Sequence, residues 1–271
     1  MGNVYIAFGM TLIAGLCTGI GSLIALLSKN TNKTFLSVSL GFSAGVMIYV
    51  SFVEIFAKAE DSLVLQWGEQ KGKIATVLAF FGGMLLIALI DKLIPSEKNP
   101  HELNHANEVI TESNISTEKD KKQLMRMGVF TALAIAIHNF PEGLATFISA
   151  LGDMEVAIPI VVAIAMHNIP EGIAVSVPIY HATGSRKKAF VYSFLSGLSE
   201  PIGALIGWLL LMPIMSDAVF GIVFASVAGI MVFISIDELL PCAREYGKHH
   251  HAITGFVIGM MVMATSLLLF I

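Results

Sequence analysis

The chain has 271 residues, of which 55% are hydrophobic and only 13% are charged, and its formal net charge is −4. Together with a strongly positive mean hydropathy, this composition excludes an ordinary soluble domain and predicts a polytopic membrane protein. No Lys- and Arg-rich run with interleaved aromatic residues occurs, which argues against nucleic-acid binding. Cys17 and Cys242 are the only cysteines and form no CxxC, so neither a disulfide scaffold nor a thiolate zinc site is expected.

Eight apolar runs are long enough to cross a bilayer as helices of roughly 20 residues. In chain order they lie near Val4–Leu27, Phe35–Ala57, Ile74–Ile94, Leu124–Leu151, Val156–Ile179, Ala189–Met212, Val219–Leu240 and Ile253–Ile271. The turns between the fourth and fifth runs and between the sixth and seventh are very short, which predicts antiparallel hairpins. The predicted fold class is therefore all-α, with residues 1–271 forming one transmembrane domain.

The positions of the basic residues predict how these helices are oriented. If the N-terminus lies outside, the inner loops contain all but three of the 16 Lys and Arg residues, and the outer loops contain only Lys58, Lys71 and Lys73. Both termini should therefore face outward from the plasma (inner) membrane. The first residues lack the basic segment of a signal peptide, so none is expected.

One long polar stretch, Pro95–Lys122, has mixed charge and no helical stripe of apolar residues. It predicts a flexible cytoplasmic loop. The loop carries His101 and His105, and a second cytoplasmic loop carries His249, His250 and His251. These imidazoles suggest that the loops collect metal, although solvated polar loops often contain histidine without such a role.

A six-residue motif occurs twice inside the apolar runs, as His138–Gly143 (HNFPEG) and His167–Gly172 (HNIPEG). In a helix the His and the Glu are four residues apart and share a face, which the Asn borders. Two such helices side by side would bring together two imidazoles, two carboxylates and two carboxamides, which is a set of metal ligands. Each Pro also frees the carbonyl four residues earlier, at Ile137 and Met166, as a further oxygen ligand. A single buried histidine would more often be structural, but the near-exact repeat favours a site.

Further acidic residues lie within or near the ends of the apolar runs, and no Lys or Arg lies in the middle of any run. They are Glu54, Asp91, Glu200, Asp237 and Glu238. Because each ionised acid at the bilayer centre costs roughly 2.5–3.5 kcal/mol, the compensating charge must come from protons or bound metal. These acids also have possible structural roles. Glu200 would be protonated and bonded to a serine hydroxyl, and the acids nearer the helix ends would be solvated helix caps or interface residues.

The donor set predicts which ions would bind. Two His and two Glu suit Zn²⁺, and also Fe²⁺, Mn²⁺, Co²⁺ or Cd²⁺. Adding Asn139, Asn168 and Glu200 supplies enough oxygen ligands for a second ion, with Glu142 and Glu171 as bridging ligands. A site for Ca²⁺ or Mg²⁺ would not need the imidazoles.

At these residues the chain resembles the ZIP (Zrt/Irt-like) family of divalent-metal transporters, most closely its bacterial zinc-uptake type. The resemblance covers nearly the whole chain: eight helices, outward termini, a long cytoplasmic loop after the third helix, and HNxPEG motifs on the fourth and fifth. It implies a 3+2+3 arrangement, in which helices four and five lie between two inverted three-helix repeats, and elevator-like alternating access.

The resemblance also implies roles for individual residues. The first metal position would consist of His138, Glu142, His167 and Glu171, and the second would share both glutamates and add Asn139, Asn168 and Glu200. Asp91 and the Asp237–Glu238 pair resemble inner-side release residues of the family, whereas Glu54 resembles an acid near the entrance.

Three classes of function remain to be distinguished. The leading hypothesis is a transporter that moves divalent metal into the cytoplasm, rather than an enzyme. Its main rival is an intramembrane metal-dependent hydrolase, since metal held by His and Glu can activate water; a non-transporting sensor or scaffold is the third class. The expected partners are divalent metal ions, the lipid bilayer and no nucleic acid, with a homodimer left open.

Overall fold

A computed structural model describes residues 2–27, 33–93, 118–152, 154–210, 212–247 and 249–269. This part of the chain is almost entirely helical and contains no strand. The helices are α1 (Gly2–Leu27), α2 (Lys33–Val50), α3 (Phe56–Trp67), α4 (Glu69–Leu93), α5 (Glu118–Gly152), α6 (Met154–Thr183), α7 (Arg186–Gly197), α8 (Ser199–Leu210), α9 (Asp217–Ile234), α10 (Leu240–Tyr246) and α11 (His249–Leu269). Two π-helical turns, Ser51–Ile55 and Ser235–Leu239, join α2 to α3 and α9 to α10, and a 3₁₀ turn covers Met212–Ile214.

Eight segments are long and apolar enough to cross a membrane, as predicted. We number them spans 1 to 8 in chain order: α1, α2 with α3, α4, α5, α6, α7 with α8, α9 with α10, and α11. Their order confirms the all-α fold class with eight transmembrane helices. The short turns also agree with prediction, because α5 ends at Gly152 and α6 begins at Met154.

The predicted boundaries are wrong in three places, at the end of span 2, at the start of span 3 and at the start of span 4. Span 2 extends over Lys33–Trp67, well beyond the predicted end at Ala57, because the mixed polar and apolar residues that follow still form an amphipathic helix. Lys58 therefore lies within span 2 and not in a loop. Lys71 and Lys73 lie in the first turns of α4, which begins at Glu69 and not near Ile74 as predicted. Helix α5 begins at Glu118, inside the predicted loop 95–122, because the charged residues there favour helix. The rest of that loop, with His101 and His105, lies outside the described residues.

The packing of the spans has an internal symmetry. Span 1 packs on span 5 and span 6 on span 4, while span 2 packs on span 8 and span 7 on span 3. Exchanging spans 1 and 6, 2 and 7, 3 and 8, and 4 and 5 leaves this set of contacts unchanged. Since exchanged spans are an odd number of positions apart along the chain, they cross the membrane in opposite directions. This is the 3+2+3 arrangement with inverted repeats.

Individual residues follow the same symmetry. Both π-helical turns interrupt the middle span of a repeat, and their sequences SFVEI and SIDEL align Glu54 with Glu238. A Cβ added at Gly45 would meet a backbone carbonyl of span 8, at Phe256, and one at Gly229 would meet the carbonyl of Phe80 on span 3. The two repeats can therefore be aligned residue by residue.

Span 5, which carries the second motif, lies at the centre of the bundle. In span 5, 78% of an 18-residue apolar stretch is buried inside the protein. The corresponding share is 22% in span 3 and 28% in span 8. The outward faces of spans 3 and 8 present exposed apolar side chains such as Leu78, Leu85 and Met261, as a bilayer requires. Polar groups on span 5 are therefore shielded from lipid and can form a site.

Candidate metal centre

Both motifs lie within continuous helices near the middle of spans 4 and 5. Pro141 and Pro170 are accommodated without ending α5 or α6, so the His and Glu of each motif stay one turn apart on one face. His138 is 1% exposed, and His167, Glu142 and Glu171 are fully buried. Four ionisable side chains thus share one interior region, which is rare in a membrane protein unless the groups are functional.

The four side chains form two crossed pairs. His138 Nε2 lies 3.3 Å from Glu171 Oε2, and His167 Nε2 lies 3.2 Å from Glu142 Oε2. The crossing follows from the antiparallel hairpin, in which the His of one motif lies level with the Glu of the other. The symmetry of the repeats exchanges the two pairs, which explains why the two distances are nearly equal.

These separations fit a shared ion. Zinc bonds of about 2.0–2.2 Å in a tetrahedron place neighbouring ligand atoms roughly 3.3–3.6 Å apart. In the described residues, however, no group of three or more His, Cys, Asp or Glu side chains already surrounds a single point in ligand geometry. The arrangement is therefore two adjacent ligand pairs, which must close slightly to share one ion.

The predicted second set of ligands lies beside these pairs. Asn168 donates through Nδ2 to Ala14 O, at 2.9 Å, and to Glu200 Oε1. Asn139 Nδ2 donates to Ser196 O over a longer distance of 3.5 Å. All three side chains are fully buried. The fold therefore brings together the seven residues that the sequence singled out.

Several oxygen atoms in this cluster remain available. Within the described residues, Asn139 Oδ1, Asn168 Oδ1, Glu142 Oε1 and Glu200 Oε2 have no hydrogen-bond partner. The alternative in which a protonated Glu200 bonds to a serine hydroxyl is wrong, because Glu200 Oε1 accepts from Asn168 and Glu200 Oε2 has no hydrogen-bond partner within the described residues. Buried oxygens without partners are costly, and a cation would satisfy them.

Close helix packing sets the position of Glu200. This residue lies in the first turn of α8, and a Cβ added at Gly143 would collide with its backbone carbonyl. Only glycine after Glu142 lets the two backbones approach so closely. The Gly of the motif therefore brings the carboxyl of Glu200 level with that of Glu142.

The acids outside the motifs differ in their relation to the site. Glu238 Oε2 lies 3.9 Å from His138 Nδ1. Asp91 and Glu238 also line a cavity of about 10 Å³, next to Ile137, which is about the size of one water molecule. Asp237 is partly buried on the same π-helical turn as Glu238. Glu54 occupies the equivalent turn of span 2, and no ion pair joins it to His167 among the described residues.

The histidines at the start of α11 lie apart from this cluster. His249 and His250 are exposed, with ring centroids 5.6 Å apart, and His251 is partly buried. Their suggested role in collecting metal stays a prediction.

Sequence reasoning missed several hydroxyl groups that support the motifs. Ser43 Oγ donates to His167 O at 3.3 Å. Ser193 Oγ lies within hydrogen-bonding distance of both Gly172 O, at 3.2 Å, and Thr18 O, at 3.3 Å. Serine and threonine are common in membrane helices, so their presence in apolar runs gave no signal.

A fully buried cluster of imidazoles, carboxylates and carboxamides, at the middle of an eight-span bundle of inverted repeats, is the architecture of a secondary transporter. A family model described as ZIP Zinc transporter matches residues 92–267, which is more than half of the chain. The chain belongs to the ZIP zinc transporter family.

Bacterial relatives match over nearly their full length. The chain is 67% identical to the zinc transporter ZupT of Streptococcus mutans, with 99% of each chain covered. It is 62% identical to the protein of that name in Chlorobium chlorochromatii, covering 99% of this chain and 98% of the relative. For the protein of that name in Lysinibacillus sphaericus the identity is 60%, covering 100% of this chain and 99% of the relative.

Proposed function

We propose that this protein carries Zn²⁺ across the inner membrane into the cytoplasm, and that Fe²⁺, Mn²⁺, Co²⁺ and Cd²⁺ are further substrates. The observation that carries the proposal is the pair of crossed His–Glu contacts, 3.3 and 3.2 Å long, buried between spans 4 and 5. The relatives named as zinc transporters support the choice of zinc. Imidazole and carboxylate donors also suit the other divalent transition metals.

The first ion binds to His138, Glu142, His167 and Glu171. The two carboxylates neutralise its charge, which removes the cost of holding unpaired acids in a bilayer. The second ion binds beside the first, where Glu142 and Glu171 bridge both ions and Asn139, Asn168 and Glu200 supply the remaining oxygens. The unpartnered oxygens of these side chains support this second position.

The acids on span 3 and span 7 support a direction of transport. With the N-terminus outside, the C-terminal part of span 3, with Asp91, and that of span 7, with Glu238, face the cytoplasm. The contact of Glu238 with His138 and the cavity shared with Asp91 provide the next ligands for an ion that leaves inward. The excess of Lys and Arg in the inner loops supports the same orientation.

Alternating access follows the grouping of the spans. Spans 1, 4, 5 and 6 pack on one another around the site, and spans 2, 3, 7 and 8 form a second group. We expect the first group to move against the second as an elevator and to carry the ions with it. Residues 1–271 act as one transmembrane domain, and assembly into a homodimer is compatible with this movement.

The test is metal uptake into proteoliposomes that contain the purified protein, with a panel of divalent ions and an imposed pH gradient. Zn²⁺ should accumulate, and the other transition metals should compete with it. Replacing Glu142 or Glu171 by Ala should abolish uptake. If both folded variants transported zinc at the normal rate, the motifs would be structural and the proposal wrong.

A further inference from the structure

The symmetry of the repeats assigns a counterpart to each residue of the site. Spans 1 and 6 cross at Gly15 and Gly197, where a Cβ added to either residue would meet the backbone carbonyl of the other. Counting three residues onward from each glycine pairs Thr18 with Glu200. The ligand Glu200 thus corresponds to a neutral residue in span 1.

The motif glycines give the same pairing independently. A Cβ at Gly143 would collide with the carbonyl of Glu200, and one at Gly172 would collide with the carbonyl of Thr18. Thr18 therefore lies against the Glu171–Gly172 bond of span 5 as Glu200 lies against Glu142–Gly143 of span 4. Both residues are fully buried, so Thr18 is at the level of the site.

Symmetry between the hydrogen bonds of the two asparagines indicates which group Thr18 would face. Asn168 donates to Ala14 O and to Glu200 Oε1. Asn139 donates to Ser196 O, and Ser196 is the counterpart of Ala14. The remaining N–H of Asn139 would, by symmetry, point to the side chain at position 18. Thr18 Oγ1 is buried and has no hydrogen-bond partner within the described residues.

We propose that Thr18 is a positioning residue of the second ion position, whose hydroxyl oxygen accepts a hydrogen bond from Asn139 Nδ2 as Glu200 does from Asn168. With both of its N–H groups engaged, the Asn139 amide presents Oδ1 to the ion. Because Thr18 is neutral, spans 1 and 6 together supply a single carboxyl group, that of Glu200, to the second position. A fully symmetric site would receive two. The inference rests on the two-ion site proposed above.

The experiment is zinc titration calorimetry of the purified, full-length protein. In the wild type we expect two zinc ions to bind. Thr18→Val keeps the shape of the side chain but removes the hydroxyl, and it should weaken the second ion about tenfold, in the range typical for groups that orient metal ligands, while leaving the first unchanged. Thr18→Ser, the matched control, should bind both ions like the wild type. Thr18→Ala serves if the valine variant does not fold.

A double-mutant cycle tests whether Thr18 acts through Asn139. In an Asn139→Ala background, Thr18→Val should cause no further loss. Two results would refute the role of Thr18 while leaving the two-ion site intact. In the first, the wild type binds two ions and Thr18→Val also binds both normally. In the second, Thr18→Val causes its loss of affinity in the Asn139→Ala background as well. If the wild type binds one ion only, the two-ion site itself is refuted, and the role of Thr18 with it.

Discussion

Replacing Glu142 by Ala removes a ligand from both proposed ion positions. The carboxylate faces His167 at 3.2 Å in a region without solvent access, and it is shared by both proposed ions. Removing one partner of a buried charge pair costs about 3–5 kcal/mol, and a loss of that size in the binding free energy of the ion would be roughly a 150-fold to 4,000-fold loss of affinity. Glu171→Ala should cause an equal loss, because symmetry places it 3.3 Å from His138.

The assay is the initial rate of zinc uptake into proteoliposomes as a function of zinc concentration. Both variants should fall to the rate of protein-free vesicles at zinc concentrations that saturate the wild type. Glu69→Ala is the matched control, because Glu69 is an exposed acid that pairs with Lys73 far from the motifs, and such surface pairs contribute little. Melting temperatures of the reconstituted proteins exclude unfolding. Uptake by both variants within twofold of the wild type would refute the metal site.

Three further outcomes are expected. Deleting residues 102–117, which stops before α5 begins at Glu118, removes His105 and should lower uptake at limiting zinc far more than it lowers the maximal rate, because a loop histidine can only concentrate metal. Complete loss of transport in a correctly inserted variant would contradict this. Zinc binding should release more than one proton, counted by calorimetry in buffers of different ionisation enthalpy, since the ligands bind deprotonated; a count of zero at every pH would contradict the charge balance. Glu200→Gln should weaken only the second ion and flatten the pH dependence of binding, and unchanged binding of two ions would remove Glu200 from the site.

The spans and the convergence of the motifs could be predicted because both depend on local patterns. Long apolar runs identify helices in a bilayer, and a four-residue spacing places His138 and Glu142 on one face. A short turn after Gly152 makes the motif helices antiparallel neighbours. Together these features determine which side chains meet between spans 4 and 5.

Contacts between distant segments could not be predicted in the same way. The hydroxyl groups of Thr18, Ser43 and Ser193 lie in apolar runs whose rotation about their axes the sequence leaves open. Their role becomes visible only when helix packing places spans 1, 2 and 6 against span 5. Hydropathy alone also underestimates the length of span 2, since packing of α3 on spans 3 and 7 stabilises a helix that the hydropathy pattern would end.

The contrast between Glu54 and Glu238 indicates how the inverted repeats would divide the transport cycle. The two acids are symmetry counterparts, yet only Glu238 contacts a motif histidine, His138, at 3.9 Å. In the opposite, outward-facing state the two repeats would have exchanged conformations. Glu54 would then contact His167, and Glu238 would have moved away from His138. Glu54 would then receive the ion on the outer side and Glu238 would pass it inward.

Glu54→Gln should therefore raise the zinc concentration needed for half-maximal uptake, because capture occurs in the state in which Glu54 faces the site. Glu238→Gln should lower the maximal rate and leave that concentration nearly unchanged, because it affects a step after capture. Reconstituted protein of a single orientation, with zinc added from the outer face, separates the two effects. Equal changes in both kinetic parameters for both variants would show that the acids are not divided between entry and exit, and that the asymmetry of their contacts has no role in transport.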